Sequence, residues 1–367
     1  MDSPSGGTLM DVMTAANIHS TFVRALTISA HGGLEQLEVR DDLPLPQLRA
    51  PTDVRVRVRA AALNHLDLFV LRGLPGVTLV PPWIVGSDAF GVVDAVGDEV
   101  RGVALGDSVV VNPGISDRTC LYCQAREQSL CLKFKILGEH VPGTAAEFIV
   151  VPATNVRTVP RNADPAIAAA FPLATLTAWR MVHTRAQVRR GERVLIWGIG
   201  GGVALAALQI CKQIGAEVWV TSSSPDKLAR AKDLGADHTL NSRGEDIAGS
   251  IRKATAKAGV DVVIDNVGHA SWGQSLQALG RRGRLVTCGA TSGPMVETDV
   301  RRLFWNQWTI LGSTMGNDDE FEAVVDEFRQ GHLTPHVDSV WPLQQGARAF
   351  ERLASGQQFG KVVIALE

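Results

Sequence analysis

The sequence predicts an α/β chain in which a β-rich first part gives way to a doubly wound parallel sheet. Three observations carry this. In "DVRVRVRA" (53–60) Val and Arg alternate without a break, the period-two pattern of a strand with one face buried and one solvated. In "VLIWGIGGGVALAALQ" (194–209) an apolar run, a glycine-rich turn and a helical stretch follow one another. From about Gly191 onward strands and helices alternate, and parallel strands joined by helical crossovers build a doubly wound sheet.

Residues 1–21 are read as a flexible polar extension with no assigned role; they lack the basic start and apolar run of a secretory signal. After the 53–60 strand, "AFGVVDAVGDEV" (89–100) is a strand closed by a Gly turn, and "GDSVVVNPG" (106–114) is turn, strand and turn. In the second part "RVLIW" (193–197) is a strand, 203–214 a helix and "EVWVT" (217–221) a strand. A second helix begins near Ser224-Pro225, where Pro suits the first turn. "DHTL", "DVVID" and "GRLVTCG" supply further strands, mixed elements follow about residue 305, and "GKVVIAL" (360–366) is a closing strand.

Composition excludes several classes. Hydrophobic residues make up 45% and charged residues 20% of the 367, a globular balance with enough chain for two domains. A net charge of −2 and the lack of a long Lys/Arg run give no footprint for nucleic acid. No apolar stretch approaches the ~20 residues of a membrane span. Five unevenly placed cysteines do not make a disulfide framework; metal-binding thiolates in a reducing cytoplasm are the better reading.

The glycine-rich turn points to a dinucleotide. Gly198, Gly200 and Gly202, with Val203 opening the helix, let the backbone turn sharply and approach a pyrophosphate, which the helix N-terminus then meets with free N–H groups. At the end of the next strand, where an acidic residue would hold the ribose of NAD, the chain has "TSSSPDK" (221–227). Ser222, Ser223 and Ser224 can donate to a 2′-phosphate and Lys227 can neutralise it, with Arg230 a turn further on; the cofactor expected is NADP(H). The alternative is an N-cap serine run beside a solvated lysine. Cys120, Cys123 and Cys131, spaced Cys-x2-Cys-x7-Cys, resemble three ligands of a tetrahedral zinc site that wants a fourth.

Together with "LNHLDLFVLRG" (63–73), "GSDAFGVVDAVGDEV" (86–100), "GTAAEFIVVP" (143–152), "LGADHTLN" (234–241), "DVVIDNVG" (261–268) and "GKVV" (360–363), these stretches resemble the medium-chain dehydrogenase/reductase superfamily over residues 22–367. The resemblance implies a GroES-like β-rich catalytic domain over 22–160 with a zinc lobe at 112–140, a Rossmann domain over 161–305, and a return to the catalytic domain over 306–367. It implies an active cleft between the two and a homodimer. The family's lobe pattern places its first ligand on Asp117, ahead of Cys120, Cys123 and Cys131, which makes a closed structural Zn2+ site with a carboxylate in it; the alternative is an empty lobe with three free thiols.

The family's catalytic zinc positions fall on Asn64, Ser87 and Leu173, and its proton-relay position on Leu66. None is a good zinc ligand or relay, although His65 and Asp88 stand nearby as substitute ligands. Asn64 is the first choice for a donor that polarises substrate, the alternative being a loop-stabilising amide. His65 reads as a cofactor-phosphate or supporting group, and Asp67 as a catalytic candidate or, more simply, a structural carboxylate. Thr177 and the "CGATSG" run (288–293), with Gly289 in it, resemble contacts on the nicotinamide side; Cys288 reads as packing, and the tryptophans, Trp83, Trp305 and Trp308 among them, as core.

The function this implies is an NADPH-dependent reductase of quinones or α,β-unsaturated carbonyls, acting on a small molecule without a catalytic metal. The competing readings are an alcohol or aldehyde dehydrogenase with an unconventional metal site, and a cofactor-binding scaffold without turnover.

Overall fold

The computed structural model describes residues 21–366, so the extension read over 1–21 lies outside the described residues except for Thr21. The Val/Arg alternation forms a strand over Asp53–Ala62. Val54, Val56 and Val58 are buried in the core, while Arg55 and Arg57 turn outward and share Asp94 of the neighbouring strand at 2.7 and 3.3 Å. This strand is the centre of a sheet that runs Val156–Thr158, Ser108–Val111, Asp88–Val96, Asp53–Ala62, Lys361–Ala365 and Val337–Pro342, with Phe148–Pro152 also paired to Asp53–Ala62. A three-stranded sheet of Leu37–Pro44, Phe22–Ile28 and Trp83–Ile84 accompanies it.

The second part holds six parallel strands in the order His238–Asn241, Glu217–Ser222, Arg193–Ile196, Val260–Asp265, Leu279–Thr287 and Thr309–Gly312. The order reverses beside Arg193–Ile196, so the crevice for a ligand opens at the carboxyl ends of that strand and Val260–Asp265. The fold class expected from the sequence, a β-rich domain plus a doubly wound α/β domain, is the one observed. The strand read at "GRLVTCG" starts earlier, at Leu279, and pairs irregularly with its neighbour between Val260 and Val262. Trp83 and Trp308 are core residues with their indole N–H groups on the carbonyls of Gly138 and Gly280. Trp305 departs from the expected core position: it is 71% exposed on the helix Val300–Asn306.

The register that matters most for the site joins the last strand of the chain to the β-rich first part. Val363 pairs with Ala62 and Leu63 N–H donates to Val362 O at 2.9 Å. Lys361 is thereby brought beside Asn64, the residue that opens the helix His65–Arg72.

Candidate active site and metal lobe

A cleft of about 630 Å³ runs between the domains. Its lining includes Gly198, Gly202, Val203, Ser222, Ser223, Lys227, Thr177 and Gly289 from the cofactor reading, and Asn64 and His65 from the catalytic one. Gly200 lies behind the turn. Its φ of +119° demands glycine, and a Cβ there would stand 2.9 Å from Lys227 Cδ. A Cβ on Gly202 would meet Lys361 Cδ at 2.9 Å. The turn is therefore clamped from outside by two lysine stems, and Gly360 N–H donates to Gly200 O at 2.8 Å.

At the far end of the turn, Gly198 N–H donates to Thr221 Oγ1 at 3.2 Å. Ser224 is the N-cap of the helix Pro225–Asp233, accepting from Lys227 N at 3.4 Å, and its own N–H donates to Ser222 Oγ at 3.1 Å. So of the three serines one is committed to capping, while Ser222 and Ser223 line the cleft. Lys227 Nζ donates to Gly356 O at 2.6 Å, and burial is the main influence pulling its pKa down. Arg230 is stacked over the Phe359 ring at 4.0 Å. Burial pushes the Cys288 thiol up to about 12, the behaviour of a packing residue and not of a nucleophile.

The floor of the cleft is a compact polar cluster. Asn64 Nδ2 donates to Asp88 Oδ2 at 2.9 Å and more weakly to Ala62 O at 3.4 Å. Asn64 Oδ1 accepts from Lys361 Nζ at 2.5 Å, and the same ammonium is 2.8 Å from Asp88 Oδ2. The other Asp88 oxygen accepts from Leu173 N at 2.7 Å. Ser87 Oγ donates to Leu137 O at 2.8 Å. The expectation of Asn64 as a free donor to substrate is corrected by this bonding, because both amide hydrogens and the oxygen are engaged within the protein. Asp67 is 2% exposed and accepts from Asn64 N at 2.7 Å and Gly86 N at 3.0 Å, so it holds the helix start and touches no substrate space. Burial raises its pKa to about 6, outweighing those two donors. His65 lines the cleft; burial first, then Lys361, Arg72 and Lys227, lowers its pKa and keeps the ring neutral near pH 7.

These residues do not fit a catalytic metal. Asp88, the best substitute ligand, is fully buried and already receives three donors, and Asn64, Ser87 and Leu173 offer no free lone pair comparable to a thiolate or imidazole. Lys361 is a site residue that reading the sequence misses. The only signal for it is its place in "GKVV" near the C-terminus, a lysine at the start of an apolar strand where charge is costly without a partner.

The lobe is separate from the cleft. Ligand atoms of Asp117, Cys120, Cys123 and Cys131 lie within 4.8 Å of one another, the one such convergence of three or more His, Cys, Asp or Glu among the described residues. Cys120 Sγ and Cys123 Sγ are 3.7 Å apart, close to the ~3.8 Å edge of a tetrahedron with Zn–S bonds of about 2.3 Å. N–H donors from Cys120 and Thr119 hold the Asp117 carboxyl well below the usual carboxylate range, so it stays anionic, as a ligand must. Cys131 Sγ accepts from Asp117 N and Lys133 N at 3.3 Å each. The donor set fits zinc. Arg118–Asp318, Arg126–Asp319 and the buried Arg180, which is paired with Glu127 at 2.5 Å and Glu320 at 2.9 Å, bolt the lobe to the helix Asp318–Arg329.

Known proteins are similar to this chain. Residues 50–161 match the alcohol dehydrogenase GroES-like domain and residues 202–330 the zinc-binding dehydrogenase family. A zinc-type alcohol dehydrogenase-like protein of Schizosaccharomyces pombe is 32% identical over 91% of this chain and 96% of its own. A quinone oxidoreductase of Pseudomonas aeruginosa is 30% identical over 93% and 99%. A crystal structure named as an NAD-dependent alcohol dehydrogenase superposes with a TM-score of 0.90 at 43% identity, covering 94% of this chain and 100% of that one. A GroES-like domain, a six-stranded doubly wound domain with its glycine turn, and relatives that match from end to end together establish that the chain belongs to the medium-chain dehydrogenase/reductase superfamily and is an oxidoreductase of that type.

Proposed function

We propose that the chain is an NADPH-dependent reductase that passes a hydride to a quinone or an α,β-unsaturated carbonyl, with no metal in the reaction and a zinc ion bracing the lobe. The observation that carries this reading is the cluster at the cleft floor, where the three stretches that would hold a catalytic metal spend their polar atoms on one another, on Leu137 O and on Lys361. Oxidising a simple alcohol near neutral pH leans on a Lewis acid and a proton relay, and Leu66 stands at the relay position. An electron-poor C=C or quinone takes up the negative charge itself.

The nicotinamide cofactor, when bound, supplies the hydride. The Gly198–Gly202 turn and the helix it opens receive the pyrophosphate; Thr177 and Gly289 flank the nicotinamide end. Ser222, Ser223 and Lys227 face a 2′-phosphate, and no carboxylate ends the Glu217–Ser222 strand to prefer a bare ribose. The lobe's four ligands lie off the cleft lining, which suits a closed structural site.

The partners proposed are a small-molecule substrate and a second copy of the chain. Among the described residues, strand Thr309–Gly312 is an open sheet edge with Ile310 exposed, next to exposed Phe304 and Trp305. Nucleic acid is not a proposed partner. Among the described residues no helix is long and apolar enough to cross a membrane, and a reducing cytoplasm suits the thiolate lobe.

The relatives' names divide between alcohol dehydrogenases and quinone oxidoreductases, so the test covers both. Turnover with NADPH and NADH is measured over quinones, enones, aldehydes and primary alcohols, before and after chelation, alongside zinc per chain. Enone or quinone reduction that survives chelation supports the proposal. Brisk, chelator-sensitive alcohol oxidation with a second zinc per chain would replace it with the alcohol dehydrogenase reading.

A further inference from the structure

We infer that Gln274 reads the base of the dinucleotide: its amide NH2 donates to N1 of adenine and so selects adenine over a 6-oxopurine. The inference rests on the nicotinamide-dinucleotide reading above and not on the choice between NADPH and NADH. It starts from the way the amide is held. Gln274 Oε1 accepts from Ile247 N at 2.7 Å and from Ala248 N at 3.3 Å. Two N–H groups aimed at one amide atom identify that atom as the oxygen. The NH2 therefore points the other way, with two hydrogens to give. It has no acceptor among the described residues, and Gln274 is half-buried in the lining of the cleft. The oxygen has a structural duty, since Ile247 and Ala248 open the helix Ile247–Ala254 and their N–H groups lack partners within it. A carboxylate would do that duty better, because an anion suits a helix N-terminus. Capping thus accounts for an acceptor at this position but not for the choice of an amide.

The surroundings indicate what the NH2 meets. Trp197 follows the strand Arg193–Ile196, and Val267 and Ala270 follow Val260–Asp265, so apolar surface gathers at the carboxyl ends of the strands where a ligand binds. Ser242, at the end of His238–Asn241, donates its N–H to Ser222 O at 2.9 Å, which ties this part of the cleft to the serines proposed for the ribose end. The other amide and hydroxyl on this side are placed elsewhere. Ser271 Oγ is spent on the buried Asp265 carboxylate and on Gly268 O, and Asn266 stands beside Gly198 under the glycine turn. A flat base between apolar walls, fixed by one placed polar group, is the usual composition of a small-molecule site. The base is joined to its ribose through N9. A ribose at Ser222 and Ser223 therefore presents the opposite edge of the base to the helix His269–Ala278, which carries Gln274. On that edge adenine has one acceptor, N1, beside a 6-amino donor. An NH2 matches N1, whereas in hypoxanthine or guanine N1 carries a hydrogen and the match is lost.

The test titrates wild type, Gln274→Glu and Gln274→Met without substrate and records the melting transition of each. The ligands are NADPH, NADH and the hypoxanthine counterpart of each, so the base is scored within each phosphate form. Wild type is expected to hold the adenine form about three- to tenfold more tightly, the worth of one hydrogen bond. Gln274→Glu keeps an acceptor for Ile247 and Ala248 and should melt no lower than wild type. Its carboxylate faces the N1 lone pair of adenine but the N1–H of hypoxanthine, so the preference should shrink or reverse. Gln274→Met gives up both cap and donor; it should melt lower and no longer tell the two bases apart. Equal affinity of wild type for the two bases would overturn the inference, and that comparison needs no variant. A loss in Gln274→Glu that is the same for both bases would overturn it too and leave Gln274 as a cap. An adenine preference that grows in Gln274→Glu would overturn the assignment to N1 and set the 6-amino group opposite the side chain. A wild type that binds none of the four dinucleotides overturns the cofactor reading and the inference together.

Discussion

Replacing Asp67 by Asn probes how much of the domain's stability rests on one buried carboxyl. Its two oxygens accept from Asn64 N at 2.7 Å and Gly86 N at 3.0 Å. An amide in that place must turn its NH2 toward one of these N–H groups, leaving a buried donor without an acceptor, at a cost of about 1–3 kcal/mol. A second effect depends on pH. Burial raises the Asp67 pKa from 3.8 to about 6, so the fold favours its protonated form. The stability this contributes is full below about pH 4 and is lost as pH rises through 6; a pKa raised that far corresponds to about 3 kcal/mol. Asn has no proton to lose. The deficit of Asp67→Asn relative to wild type is therefore expected to be larger at pH 5 than at any higher pH tested and to shrink, or change sign, by pH 7.5. Urea unfolding of both proteins at pH 5, 6, 7 and 8 at fixed ionic strength reads this directly. Parallel stability curves, with a deficit that does not change with pH, would refute the reasoning and mean that the two N–H donors keep Asp67 ionised at an ordinary pKa.

Lys227→Ala should lose the preference for NADPH over NADH, because Lys227 lines the cleft beside Ser222 and Ser223; about 1.5–3 kcal/mol of charge-assisted bonding is at stake, and equal affinity of wild type for the two cofactors in titration would end the assignment. Purified protein should carry about one zinc per chain, Asp117→Ala should retain less and Asp117→Cys more; metal analysis under reducing, chelator-free conditions checks this, and zinc-free wild type would favour the empty lobe. Trp305→Asp and Ile310→Lys should convert a dimer to a monomer in light scattering, and a wild type already monomeric would remove the edge strand from consideration.

The fold was legible where the signal is local. Period-two alternation is set by the strand's own residues, so Asp53–Ala62 could be read from Val and Arg alone. The glycine turn is equally local, because Gly198 and Gly200 take positive φ that few other residues tolerate. The early part of the strand Leu279–Thr287 was not legible. Arg281, Arg282 and Gly283 look like a turn, and Arg282 does take a positive φ of 60°, yet the chain continues within the strand. Trp305 misled for a related reason: a large apolar residue is core only if some element comes to cover it, and among the described residues none does.

The site shows where reading by position stops. Matching Asn64, Ser87 and Leu173 to ligand positions says which metal-binding atoms are missing, and that much depends on residue type alone. What replaces them depends on neighbours. A buried amide has two hydrogens to give and an oxygen to receive with, and a buried carboxylate must find donors. Whether Asn64 has a hydrogen to spare for a substrate is thus decided by whichever groups the fold brings next to it. Asp88 comes from the adjacent strand, 24 residues along, and Lys361 from a strand 297 residues along, placed there only by the pairing of Val363 with Ala62. No local pattern encodes that register. It follows that an emptied metal site should be judged by its charge balance as well as its ligand list. Asp88 is fully buried and would be costly alone, so its presence in the sequence beside a vacated metal position already required a cation from somewhere in the chain. Lys361 meets that requirement.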